Sequence, residues 1–118
     1  AGIRRLAQQF TNELLLPVGS MKYLPRRGTS LLPDARAGRI SSTVDLRVSL
    51  SRALTSVATT LRSQYTEDTP PDERLAKIAV LEATVADGKA MIRLRLESEA
   101  GASRAVLVPL ALPLGVQA

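Results

Sequence analysis

The sequence predicts an α+β fold: two main helices packed on a three-stranded antiparallel β-meander, with a long ordered loop between the helices. Three observations predict it. Residues 75–85, 91–98 and 104–112 form consecutive apolar-rich runs divided by turn signals. In the middle run Ile92, Leu94 and Leu96 alternate with Arg93, Arg95 and Glu97, the period of a strand with one buried and one charged face. Two earlier segments carry apolar residues at helical spacing instead.

In the first segment, residues 1–16, Ile3, Leu6, Ala7, Phe10 and Leu14 share one face, and Arg4, Arg5, Gln8, Gln9 and Asn12 oppose them. This predicts an amphipathic helix over residues 2–16 that packs on a core and ends at Pro17 and Gly19. Residues 17–41 are too rich in Gly and Pro for long regular structure. They nevertheless carry Met21, Tyr23, Leu24, Leu31 and Leu32, whereas a flexible linker is polar. The expectation is an ordered, extended arm lying across the domain or a neighbour. Arg26 and Arg27, between Pro25 and Gly28, belong on an exposed turn, free to meet an acidic partner or solvent.

Residues 42–65 predict the long helix. Ser42 followed by Asp45 resembles a capping box in its Asp form. Leu46, Leu50, Ala53, Leu54, Val57, Ala58, Leu61 and Tyr65 make its apolar stripe. At a rise of about 1.5 Å per residue it spans roughly 35 Å. Pro70 and Pro71 stop any helix in the acidic connection that follows. Residues 73–114 hold the sheet and its tail. Asp87-Gly88 is a strong hairpin signal, because a primed turn needs φ > 0. Residues 100–103 make a looser second turn. Residues 105–108 show no polar face, and Pro109 cannot donate to a ladder, so the third strand belongs at a sheet edge. An apolar edge strand invites pairing with another chain. Val106, Val108 and Leu110 fall on one face and Leu107 on the other, with residues 112–116 available to extend the contact. The competing expectation is a strand buried on both faces within the domain, covered by residues 15–32.

A chain of 118 residues is one domain, 1–118. With no Cys and no His it has no disulfide framework and lacks the commonest base and metal ligand. One Phe, two Tyr and no Trp make the core aliphatic and exclude a platform for base stacking. The net charge of +5 is uneven: residues 1–65 hold ten Lys/Arg against three Asp/Glu, and residues 66–118 six against eight. A basic first half suits an acidic protein partner, an ordinary solvated surface or, alternatively, nucleic acid. No run is long and apolar enough for a membrane span, and no secretory signal opens the chain, so synthesis in the cytoplasm is expected.

No catalytic constellation is evident. Phosphate-binding glycine motifs are absent. Glu67, Asp68, Asp72 and Glu73 cluster in one loop, and acid–base work needs a shielded cleft to separate their pKa values. Glu13 has no well-placed Asp after it, so a muramidase has no chemical support. The expectation is no enzyme, no metal and no cofactor.

Taken together, the ordered motifs resemble the small baseplate wedge protein of contractile-tailed bacteriophages, the sheath-initiator family. The equivalent type VI secretion baseplate subunit belongs to that family too. Leu14-Leu15-Leu16-Pro17-Val18-Gly19-Ser20 is similar to the family's Leu-Leu-Thr-Pro-x-Gly opening. Pro25-Arg26-Arg27-Gly28-Thr29-Ser30-Leu31 is similar to its Pro-x-x-Gly-x-x-Leu segment. The family's Glu-Pro-Arg turn is replaced by Thr69-Pro70-Pro71-Asp72-Glu73-Arg74, in which Pro71, Glu73 and Arg74 match in type but not in spacing.

The resemblance implies a structural subunit of the virion's tail baseplate, made in the bacterial host cytoplasm and present in many copies. Its implied partners are other wedge proteins, the tail sheath protein and tube or hub proteins, with neither membrane nor direct nucleic-acid contact. The implied partner-binding residues are Val106, Leu107, Val108, Leu110 and Leu112 on the edge strand and tail. Arg26, Arg27, Pro71, Glu73 and Arg74 are the corresponding candidates on loop and turn.

Overall fold

The computed structural model describes residues 2–113. Three helices, α1 (Ile3–Leu15), α2 (Leu31–Arg36) and α3 (Thr43–Ser63), precede a single 3-10 turn, Pro71–Glu73. The strands β1 (Leu75–Ala86), β2 (Lys89–Ser98) and β3 (Ser103–Ala111) then form an antiparallel sheet in the order β1-β2-β3. The fold is the expected α+β meander.

One face of the sheet is covered and the other is open. α3 packs along β1 and α1 along β3, so a single core lies between helices and sheet. Phe10, the only phenylalanine, is fully buried there with Leu6, Leu14, Leu46, Leu94 and Leu96. Asp87 and Gly88 both take positive φ, 54° and 72°, which closes the β1–β2 hairpin as the sequence predicts.

α3 has 21 residues and so spans about 31 Å. The Ser42 side chain accepts from the Asp45 amide at 3.1 Å, but the reciprocal half of the expected box is shifted by one residue. The Asp45 carboxylate takes the Ser41 amide and hydroxyl instead, at 3.1 and 3.0 Å. These bonds hold Asp45 below the usual carboxylate range.

Residues 17–41 differ from the expected extended arm. Residues 31–36 wind into the short helix α2, which buries Leu31 and Ala35. Pro33 is tolerated because it falls in the first turn, where an amide has no intrahelical partner. Before α2 the chain makes a pinched loop. Val18, Met21, Tyr23 and Leu24 are exposed on it, Tyr23 by 86 %. They do not lie across the domain, since α1 already occupies the sheet face they would have covered.

Candidate protein-docking site

The geometry of β3 follows from its register with β2. The Leu112 amide donates to the Gly88 carbonyl at 2.9 Å, and the Ser98 amide donates to the Ala102 carbonyl at 2.8 Å. Antiparallel pairs alternate between bonded and non-bonded. Val106, Val108 and Leu110, opposite Leu94, Ile92 and Ala90, therefore turn their backbone groups toward β2. Ala105, Leu107, Pro109 and Ala111 turn theirs outward. Pro109 sits where its missing amide costs the ladder nothing, the physical reason an edge strand accepts it.

The side chains divide along the same alternation. Val106, Val108 and Leu110 point into the chain's own core, 8 %, 2 % and 7 % exposed, beneath α1. This corrects the expectation that they form an unfinished apolar surface for a partner: their own domain covers them. The two-sided burial expected as the alternative is also absent. Leu107 is 62 % exposed, and Ala105, Pro109 and Ala111 are open beside it. Leu112 is half-buried against the core. Of the tail expected over residues 112–116, residues 114–116 lie outside the described residues.

The sheet's two edges differ. β1 carries a register shift between Val80 and Glu82, leaving Leu81 unopposed. Its outward groups near the ends are occupied: the Val85 amide donates to Thr43 Oγ1 at 3.1 Å, and Arg62 donates to the Ala76 carbonyl at 3.1 Å. Bulges and capped groups are the usual protection of an edge. β3 has a continuous register and, among the described residues, no hydrogen bond to its outward groups. A shallow groove of about 470 Å³ runs between this edge and α1, with Arg4, Gln8, Thr11 and Asn12 on the helix side. An added strand would find backbone partners on β3, polar side chains from α1 on one face, and Leu107 with Arg93 and Arg95 on the other.

The second expected cluster is largely engaged within the chain. Arg27 reaches back to α1, where Nη2 lies 2.6 Å and Nε 3.0 Å from Glu13 Oε1. The Gly28 amide donates to Glu13 Oε2 at 2.6 Å. Thr29 completes the neck: its hydroxyl donates to the Leu14 carbonyl at 2.7 Å and its amide to the Leu16 carbonyl at 2.8 Å. The last carbonyls of α1, which a helix leaves unpaired, are thus capped by a residue beyond the loop. Gly28 is required here, since at φ 92° a Cβ would run into the Leu16 carbonyl. Burial pushes the Glu13 carboxyl up, but the Arg27 hydrogen bonds, the Gly28 amide and the Arg27 charge together outweigh it and hold the group below its ordinary value.

Arg26 remains exposed at the loop's end, as expected, whereas Arg27 is half-buried rather than free on a turn. Arg74 likewise turns inward. It donates to the Thr69 and Thr66 carbonyls and lies over the Tyr65 ring, 5.8 Å from its centroid. Glu73 faces Arg5 of α1 at 3.5 Å and closes the 3-10 turn that Pro71 opens after Pro70. Pro71, Glu73 and Arg74 therefore brace the junction of α1, the connection and β1.

Sequence reasoning missed the Glu13 clamp. The signal was present: Glu13 lies three residues after Phe10, on the buried face of α1, and is only 3 % exposed. A carboxylate on an apolar stripe needs a cation or several amides to offset its burial. No helix among the described residues is long and apolar enough to cross a membrane. Comparison with protein-family models, with curated proteins and with solved structures found no match to this chain.

Proposed function

We propose that this chain is a non-enzymatic structural subunit of a contractile-tail baseplate, as in phage virions and the related type VI secretion machines. In this reading many copies join wedge proteins around the tail hub, and each offers β3 to a sheath subunit, so that sheath assembly starts by strand pairing. The order of short motifs along the chain supports the machine. The open edge of β3, uncapped where β1 is capped and bulged, is the observation that carries the mechanism. Main-chain pairing supplies affinity, and the alternating side chains supply selectivity.

The test leaves the core intact. Removing the chain from Pro109 onward would also remove Leu110 and Leu112 from the core. Leu107→Lys instead places a charge on the free edge without touching buried residues. The variant should melt with the wild type yet fail to recruit sheath protein when co-expressed with the sheath and wedge proteins of the same particle. Normal assembly by the Leu107→Lys chain would dismiss strand pairing.

Exposed Arg4 and Arg5 on α1, within the basic first half, favour a second reading as a small nucleic-acid-binding protein. Binding of duplex DNA would then weaken steeply with salt. A flat titration at low salt rejects it.

A further inference from the structure

We infer that the groove between α3 and β1, on the opposite edge from β3, is a docking site for an acidic segment of a partner protein with aliphatic anchors. Ile78 and Val80 stand opposite Leu96 and Leu94 and share their face of the sheet. Leu94 and Leu96 are fully buried, yet Val80 is 43 % exposed. α3 packs along β1 but leaves Val80 at its outer edge uncovered. The result is a groove of about 390 Å³ floored by Leu50, Leu54, Ala58, Ile78 and Val80.

Its rim decides the occupant. Arg47 and Arg62 stand on the helix side, and none of the described residues lining it is acidic. Two cations beside an aliphatic floor select carboxylates flanking apolar side chains. The floor carries no aromatic ring on which a nucleobase would stack. Ile78 and Val80 also occupy outward positions on β1, so an extended segment finds main-chain partners there. The Arg62 cap at Ala76 and the Leu81 bulge confine those partners to a short stretch.

The experiment pans a displayed random-peptide library against the full chain and measures enriched peptides by fluorescence anisotropy. Enrichment of Asp/Glu beside Leu, Ile or Val is expected. Two substitutions at exposed positions fill the groove from opposite walls: Val80→Arg from the strand and Thr55→Arg from the helix. Each should weaken binding at least about tenfold while leaving the melting temperature unchanged. Arg47→Glu should do the same, and added salt should weaken the wild-type complex. Leu107→Lys, on the far edge, should have no effect, so this site and the β3 edge stand or fall separately. An unenriched library, a neutral or basic consensus, or binding indifferent to both groove-filling variants overturns the inference. Oligothymidylate binding that Val80→Arg abolishes would overturn it as well.

Discussion

The Glu13 carboxylate accepts the Gly28 amide through one oxygen and the Arg27 guanidinium through the other, each at a shortest distance of 2.6 Å. One buried side chain on α1 thereby fixes the return of a loop whose own apolar residues face water. Helix and loop act as one unit, and the loop's exposed residues are presented from a rigid neck.

Replacing that carboxylate should be among the most damaging single changes outside the aliphatic core. Glu13→Ala leaves the buried Gly28 amide and the Arg27 charge without partners, a loss of roughly 2–4 kcal/mol. Glu13→Gln keeps an acceptor for the amide and should cost about half as much. Urea denaturation of the two variants checks the order. Stabilities equal to that of the wild type would show that the clamp contributes nothing.

Acid should open the same neck. The folded-state pKa of Glu13 lies below its unfolded value, so its contribution is fully present above the unfolded pKa and fades as pH falls through the folded one. That window lies at and below the ordinary carboxylate range, about pH 4.3 and under. Amide exchange at Gly28 and Thr29, corrected for intrinsic rates, should accelerate in that window. The Glu13→Gln chain should show no such step.

The two faces of β3 should respond oppositely to truncation. Val108→Ala removes methyls from a packed interior and should cost about 1–2 kcal/mol. Leu107→Ala, on the open face, should stay within about 0.5 kcal/mol of wild type. Thermal unfolding distinguishes them, and a large effect at Leu107 would mean that its face is covered.

Pro109 offers a direct probe of the edge. Pro109→Val restores an outward amide to the free side of β3 without altering the bonds to β2. Self-association, followed by sedimentation at rising concentration, should increase. The Leu107→Lys change added to Pro109→Val should reverse it. A monomer under all conditions would show that the proline does not limit pairing.

Much of this fold is legible in the residues, because strand and helix periods leave separate marks. Ile92, Leu94 and Leu96 announce β2, and Asp87-Gly88 announces its hairpin. β3 is harder: Ala105, Leu107, Pro109 and Ala111 are as apolar as the buried positions between them, and hydropathy does not say which side a helix will cover. The Gly and Pro content of residues 17–41 conceals α2, since Pro33 reads as a breaker unless its place in the first turn is known. The partnership of Glu13 with Arg27 spans 14 positions, beyond any local pattern. It becomes visible only when the apolar stripe of α1 is seen to include a carboxylate. The groove beside Val80 escapes sequence reasoning for a similar reason: it arises from how closely α3 seats against β1.

A ribbon with two receptive sides propagates without limit, each copy templating the next. Here the bulge at Leu81 and the side chains of Thr43 and Arg62 leave β1 only a short receptive stretch, and only β3 offers a continuous row. Head-to-tail fibres through β1 and β3 would have to pair along that short stretch alone and are strongly disfavoured. A strand received along β3 finishes the row, which suits a component that begins something once and does not multiply itself.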